Sequence, residues 1–201
     1  MGDAVPRRVD HEERRTRIAT ALWRVATARG LDRVSLREVA TEAGVSLGQL
    51  QHYFPSRDDL LVFAMEFMRR KNVERVTQRV AALGSPAASA RLRAIAREML
   101  TLDDRSVAGS LMNFTFLLEG IHNETLRGYA RSQGLALRGV LEHHIGLAVA
   151  EGDIPVDRDP RREATALMGL ADGLRAGFHL GLHTADEAWA VMDGQLARLF
   201  G

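Results

Sequence analysis

The sequence predicts an all-α protein, in which a small N-terminal helical unit is followed by a larger helical bundle. Apolar residues recur at helical spacing along the chain, and no segment shows the alternation typical of a β-strand. Serine residues in N-cap positions, and glycine or proline residues where the apolar pattern stops, divide the chain into about nine helices. The composition, with 46% hydrophobic and 26% charged residues, is that of an ordinary globular protein.

Cap residues mark the first four predicted helices. Serine before a helix and glycine after it satisfy backbone groups that the helix itself leaves unpaired. These residues are Gly30 after the first helix, Ser35 and Gly44 around the second, Ser46 before the third and Ser56 before the fourth. Glu38, three residues after Ser35, completes a capping box. Two short helices therefore flank residues 43–46.

The other boundaries follow from the same signals. The fourth helix is expected to end at Gly84-Ser85-Pro86. The remaining five helices are predicted at about 87–102, 106–119, 123–151, 161–180 and 185–200. We place a domain boundary between residues 1–56 and residues 57–201.

The segment from Leu36 to Tyr53 has the pattern of a helix-turn-helix. Gly44 can adopt the positive φ that a tight turn between helices requires. Val45 is expected to be a buried wedge between the two helices, and Ser46 caps the next one. A short, polar, glycine-containing helix held in this way fits the major groove of DNA.

Around this motif the sequence resembles a known family. Thr16-Arg-Ile through Gly30, and Val34 through the restart Ser56-Arg-Asp-Asp-Leu60, look like the DNA-binding domain of the TetR family of repressors. The match covers about the first third of the chain, with caps, turn glycine and the Tyr53-Phe54 pair in register. The resemblance implies a homodimeric repressor that binds a double-stranded, palindromic operator and is released by a small, largely apolar effector. It makes residues 1–56 the DNA-binding domain and residues 57–201 the ligand-binding and dimerisation domain.

The resemblance also implies a set of DNA-contacting residues. They are Ser35, Arg37, Ser46, Leu47, Gly48, Gln49, Gln51, His52, Tyr53 and Arg57. Gln49 and Gln51 are the candidates for base-specific hydrogen bonds, and Leu47 for contact with a thymine methyl group. Residues at the helix starts are expected to contact phosphates. Such contacts position the protein along the DNA but do not distinguish between bases. Gln51 stands where the family usually has an aromatic residue, so the operator of a relative cannot be transferred. The alternative is a three-helix unit that only packs.

Basic residues near the N-terminus allow two interpretations. Arg7 and Arg8 are expected in a flexible arm, and Arg14, Arg15 and Arg17 near the start of the first helix. Such residues can contact the minor groove of DNA, or they can form a solvated charge run interrupted by acidic residues. Net charge is only +1, so DNA contacts must come from locally placed groups.

A glycine repeat marks the predicted eighth helix. Gly169, Gly173, Gly177 and Gly181 recur at every fourth position, where each glycine costs about 1 kcal/mol relative to alanine. Close approach of another helix would offset this cost. The resemblance implies that the last two helices form a dimer interface, with Gly173, Gly177, Phe178, Trp189, Met192 and Leu196 as its candidate residues. The alternative is packing within one chain.

Central helices are the expected location of an effector pocket, which needs apolar walls and a few polar anchors. The candidate ligand-binding residues are Phe67, Met99, Met112, Phe116, Glu119, His122, Tyr129, Met168 and Asp172. The alternative is that this Met and Phe stripe is ordinary core packing, which is the more common role of such a stripe. A regulator controlled by a protein partner instead of a small ligand is the alternative function.

Other classes of protein are disfavoured. The chain has no cysteine, and it lacks phosphate-binding loops, nucleophile elbows and dinucleotide motifs, so we expect neither an enzyme nor a cofactor. His179, His183 and Glu187 have metal-ligand spacing, but Gly181 is expected to interrupt the helix between them. Without a signal peptide or an apolar run of roughly 18 residues, the chain is expected in the cytoplasm, away from membranes.

Overall fold

The computed structural model describes residues 6–30, 34–84, 87–102 and 106–201, and in these ranges the chain is helical. Its elements are α1 Pro6–Arg29, α2 Leu36–Ala43, α3 Leu47–Tyr53, α4 Arg57–Ala81, α5 Ala88–Met99, α6 Ser106–His122, α7 Glu124–Glu151, α8 Pro160–His179 and α9 Ala185–Phe200. The predicted all-α fold class is confirmed. No helix among the described residues is both long and apolar enough to cross a lipid bilayer.

Several helix boundaries differ from the prediction, and α5, for example, ends at Met99 rather than at about residue 102. Helix α1 begins at Pro6, so the expected flexible arm is wrong for Arg7 and Arg8, whose backbone is helical. Proline suits the first position of a helix because its missing N–H is unpaired there anyway. Helix α6 continues to His122, beyond the predicted Glu119. Of the expected break after α4, Ser85 and Pro86 lie outside the described residues.

The structure divides into two compact units by packing. The first comprises Met1–Arg70 and Ala108–Ala130, and the second Lys71–Val107 and Arg131–Gly201. The first unit is thus built from two separate stretches of chain. The functional boundary between residues 56 and 57 concerns roles rather than packing, and it stays a prediction.

Helices α1, α2, α3, α4, α6 and α7 all contribute to the core of the first unit. Its fully buried large side chains are Ile18, Leu22, Leu50, Phe54, Leu60, Leu61, Phe116 and Leu126. Burial of each such side chain contributes about 1.5–3 kcal/mol. Arg15 lies over this core, with its guanidinium carbon 4.3 Å from the centroid of the Phe63 ring. Arg15 therefore has a packing role within the unit.

The core of the second unit is formed mainly by α5, α7, α8 and α9. Its fully buried side chains include Leu92, Leu100, Leu141, Ile145, Met192, Leu196 and Leu199. Asp159 caps α8 by accepting a hydrogen bond from the backbone N–H of Arg161 at 2.9 Å. Thr184 and Glu187 form a capping box at the start of α9. These caps fix where the last two helices begin.

Candidate nucleic-acid interface

Helix α2 begins with the capping box predicted from the sequence. The backbone N–H of Glu38 donates to Ser35 Oγ at 3.3 Å, and the N–H of Ser35 donates to Glu38 Oε2 at 3.1 Å. Arg29 of α1 adds an ion pair to the same carboxylate, 2.6 Å from Oε1. The hydrogen bonds from Ser35, assisted by the Arg29 charge, hold the pKa of Glu38 below its usual value. The start of α2 is thus tied to α1, with Ser35 and Arg37 exposed beside it.

The turn between α2 and α3 depends on Gly44, whose φ of +66° is in the left-handed region. Its N–H donates to Thr41 O at 3.1 Å, and the N–H of Val45 donates to Ala40 O at 3.0 Å. These bonds satisfy carbonyls that the end of α2 leaves unpaired. Val45 packs against the first core but is only partly buried, so the expected wedge is incomplete.

Helix α3 is held by one buried residue and presents the rest of its surface to solvent. Leu50 is fully buried in the first core, and Phe54 follows directly after the helix and is buried too. Gly48, Gln49, Gln51 and His52 are exposed, and Leu47 is half-buried. The structure therefore brings the α3 candidates together on one accessible, polar surface, with Ser46 at its start. Tyr53 differs, since it is half-buried against the core.

The two glutamines of α3 are not equivalent. Gln49 Oε1 accepts a hydrogen bond from the backbone N–H of Ser46 at 3.0 Å, and the N–H of Gln49 donates to Ser46 Oγ at 3.1 Å. Sequence reasoning missed this second capping box, although the Ser-x-x-Gln spacing carries its signal. A glutamine that binds adenine needs both its amide oxygen and its amide nitrogen. Gln49 must release its cap bond to do so, whereas Gln51 is not part of the cap.

Arg57, predicted to contact a phosphate, is paired with Glu119, predicted to be a ligand anchor. Arg57 Nη1 lies 2.7 Å from Glu119 Oε2, and Nη2 lies 3.0 Å from Oε1. Nearby, Asn123 Nδ2 donates to Asp58 Oδ2 at 2.7 Å, and Asn123 Oδ1 caps α7 through the N–H of Leu126. Sequence reasoning missed the link between Asn123 and Asp58, which lie 65 residues apart.

The other ligand candidates are divided between the two units. Met112 and Phe116 are buried in the first core, where Phe116 meets Tyr129 edge to face with ring centroids 5.7 Å apart. Burial raises the pKa of Tyr129 to about 12. Phe67 and the second-unit residues Met99 and Met168 are half-buried, and His122 and Asp172 are exposed. Their role in ligand binding stays a prediction.

The dimer candidates fall into two groups. Met192 and Leu196 are fully buried in the second core of a single chain, so their side chains face this chain's own interior. Packing within the chain also explains why residue 177 is glycine, because a Cβ there would lie 2.3 Å from His183 Cε1. At Gly173 a Cβ would meet nothing within 4 Å, and the residue is exposed. Half-buried Phe178 and Trp189 remain candidates as well.

Metal-ligand spacing in the last two helices has another explanation. His183 Nε2 lies 2.8 Å from Leu174 O, and the carboxylate of Glu187 accepts the N–H of Thr184 at 2.7 Å. Across the described ranges, no group of three or more histidine, aspartate or glutamate residues is placed to hold a metal ion. His183 and Glu187 therefore stabilise the turn between α8 and α9 and the start of α9.

Comparison with known proteins agrees with this geometry. Residues 18–62 match the model of bacterial regulatory proteins of the tetR family, and residues 88–201 match that of the C-terminal part of BetI-type transcriptional repressors. The transcriptional regulator PksA of Bacillus subtilis is 32% identical over 173 residues, which cover 85% of this chain and 80% of PksA.

Solved structures show the same fold. A putative TetR-family regulator from a Rhodococcus species superposes with a TM-score of 0.83 at 24% identity, covering 94% of this chain and all of the other. A putative regulator from Saccharomonospora viridis, solved in complex with choline, has a TM-score of 0.78 at 24% identity and covers 91% of this chain and 95% of its own. The chain is thus a DNA-binding transcriptional regulator rather than an enzyme, and it belongs to the TetR family.

Proposed function

We propose that this regulator is a homodimeric repressor that binds a palindromic operator through α3 and leaves it when a small molecule binds. The observation that carries the proposal is the exposed polar surface of α3, anchored from behind by Leu50 and Phe54. A purely structural helix has no need of Gly48 and Gln51 on its outer face, whereas a helix that enters the major groove does.

The proposed contacts divide into two kinds. Gln51, and Gln49 after release of its cap, bind base edges, while Leu47 contacts a thymine methyl group. Residues at the helix starts and ends contact the phosphates and fix the register of the protein on DNA. These are Ser35, Arg37, Ser46, His52, Tyr53 and Arg57. Arg37 is exposed and makes no ion pair with the described residues, which suits a phosphate ligand.

Gln51→Ala is expected to lower operator affinity by about 1–3 kcal/mol and to relax the preference at one base pair, because a bidentate base contact is lost. Gln49→Ala is expected to change base preference less and to lower the midpoint of thermal unfolding more, because it removes part of the α3 cap. Binding of each variant to duplexes substituted at single positions measures both effects. The assignment is overturned if Gln49→Ala relaxes the preference and Gln51→Ala does not.

Dimer formation is supported by the exposed part of the glycine repeat. Gly169 and Gly173 have open space where a Cβ would point, so packing within one chain does not account for them. A partner helix that approaches closely there would offset their helix-propensity cost of about 1 kcal/mol each. A two-fold dimer also supplies two α3 helices for two half-sites about 34–36 Å apart.

Gly173→Leu is expected to convert the dimer to monomer while the single chain keeps its fold, because leucine favours a helix and a Cβ at this exposed position has no heavy atom within 4 Å. Analytical ultracentrifugation measures the association, and circular dichroism checks the helix content. Gly128→Leu is the matched control, since Gly128 is also exposed with open space at its Cβ. An unchanged dimer for Gly173→Leu places the interface elsewhere.

The proposal includes a small-molecule effector, and two groups of compounds are candidates for it. The structural neighbour from Saccharomonospora viridis, solved in complex with choline, makes choline the first compound to test. Larger apolar compounds are the second group, because half-buried Met99 and Met168 of the second unit are available as apolar walls. A ligand releases the regulator from its operator only to the extent that it binds the DNA-free conformation more tightly than the DNA-bound conformation.

Selection from random DNA duplexes at one fixed salt concentration tests the proposed function. We expect an enriched inverted repeat, and we expect choline or an apolar compound to weaken binding to it in a mobility-shift assay. Salt must be held constant because phosphate contacts make affinity salt-dependent. Failure to enrich any sequence overturns operator binding. An effector that tightens the complex reverses the proposed sign, and no response to any compound favours control by a protein partner.

A further inference from the structure

Arg57, the first residue of α4, makes a bidentate ion pair with Glu119 near the end of α6, at distances of 2.7 and 3.0 Å. The Arg57 side chain is 32% exposed and that of Glu119 is 25% exposed, so the pair lies at the edge of the first unit. Two parallel N–H···O bonds are also the arrangement by which arginine binds a phosphate group. The carboxylate therefore occupies the donors that a phosphate would use.

Arg57 lies close in sequence to the proposed DNA-binding helix, four residues after Tyr53 ends α3. The N-terminus of α4 also offers backbone N–H groups, which favour an anion. Its charge balance opposes an anion, however. Glu119 contacts the Arg57 guanidinium directly, and Asp58 and Asp59 add two further negative charges to the first turn of α4. Asp58 is bonded by neutral Asn123 and Asp59 by neutral Ser56, so neither bond cancels the negative charge.

We propose that Glu119 competes with an operator phosphate for Arg57, so that the ion pair is exchanged for a phosphate contact when the regulator binds DNA. The inference rests on the proposed function, because it requires Arg57 to contact DNA. The bond between Asn123 and Asp58 makes the exchange possible without separation of the elements. It keeps the start of α4 attached to the start of α7 while the guanidinium changes partners.

The exchange sets the level of sequence-independent binding. A phosphate contact contributes equally to the operator and to unrelated DNA, so Glu119 weakens both by the same factor. If α6 is placed so that Glu119 is held more firmly against Arg57, DNA affinity is lowered further. Glu119 is in this sense a positioning residue, which acts on DNA only through Arg57.

Three variants test the exchange in the full-length protein: Glu119→Gln, Arg57→Gln and the double variant. Binding is measured by fluorescence anisotropy, over a series of salt concentrations, to the selected operator and to an unrelated duplex of equal length. We expect Glu119→Gln to bind both duplexes about 1.5- to 5-fold more tightly. Arg57→Gln binds more weakly, and the slope of log affinity against log salt decreases in magnitude by about one. In the double variant, Glu119→Gln causes no further change in DNA affinity beyond that of Arg57→Gln.

A matched control separates the ion pair from general charge. Glu124→Gln removes the same charge from the start of α7, at an exposed residue that lies outside the Arg57–Glu119 ion pair. Its gain is expected to be smaller and to persist in the Arg57→Gln background. Thermal unfolding checks that every variant is folded, and the double variant retains two neutral hydrogen-bonding groups if one single variant is unstable.

Several outcomes would contradict the exchange. A structural ion pair predicts that Glu119→Gln weakens DNA binding, as Arg57→Gln does. If Glu119→Gln raises DNA affinity equally in the Arg57→Gln background, the effect is due to net charge. The same conclusion follows if Glu124→Gln raises DNA affinity as much as Glu119→Gln does. In each of these cases the wild-type protein still binds its operator, and only the exchange fails. If the wild-type protein binds neither duplex, the proposed function itself fails.

Discussion

Phe54→Ala is expected to lower the free energy of unfolding by about 3–5 kcal/mol and to abolish operator binding. Phe54 is fully buried, and its ring contacts that of Phe63 with centroids 5.2 Å apart. It follows α3 directly, and the Arg15 guanidinium carbon lies 5.3 Å from its ring centroid. Truncation therefore leaves a cavity where α1, α3 and α4 meet.

Urea unfolding monitored by circular dichroism measures the loss, and an anisotropy titration with operator DNA measures binding. Leu118→Ala is the control, because it also removes a large apolar side chain but at a position that is 63% exposed. The control is expected to change stability by no more than about 0.5 kcal/mol. Unfolding of Phe54→Ala at the same urea concentration as the wild type would show that α3 is held in some other way.

Gly48→Ala is expected to separate folding from DNA binding. In the free chain a Cβ at Gly48 meets no heavy atom within 4 Å, and alanine is the better helix former by about 1 kcal/mol. The variant should therefore be at least as stable as the wild type. Against DNA the same methyl group occupies the surface that approaches the groove, and we expect affinity to fall by about 1–3 kcal/mol, or about 5- to 150-fold.

Gly128→Ala provides the comparison for Gly48→Ala. Gly128 is helical, exposed and equally open at its Cβ, so the gain in helix propensity is the same. Its DNA affinity is expected to match that of the wild type. If Gly48→Ala binds the operator as tightly as the wild type, the backbone of α3 does not approach DNA closely, and the orientation proposed for this helix is wrong.

Local signals account for the features that were predicted from the sequence. The Ser35-Glu38 capping box, Gly44 in the turn and Ser46 before α3 are each set by residues within a few positions of one another. Such contacts depend little on the rest of the fold. The family resemblance rests on the same short-range features, which is why the N-terminal third of the sequence was enough to indicate the family and the fold class.

Contacts between distant residues were not predictable in this way. Helical periodicity shows that Met192 and Leu196 share an apolar face, but it does not show whether this chain or a partner covers that face. The structure assigns both side chains to the interior of the second unit. Arg57 and Glu119 are 62 residues apart, and no local pattern predicts their pairing. For the ligand candidates, the same apolar residue types serve both cores and pockets.

The two-segment construction of the first unit has a consequence for protein engineering. Met112, Phe116 and Leu126, from the second stretch of chain, complete the core beneath α1 and α4. An N-terminal fragment transplanted onto a foreign sensor would expose the apolar surface that these side chains cover, and it would tend to aggregate. A hybrid regulator with altered operator specificity should instead exchange α3 residues alone, or carry residues 108–130 along with the N-terminal segment.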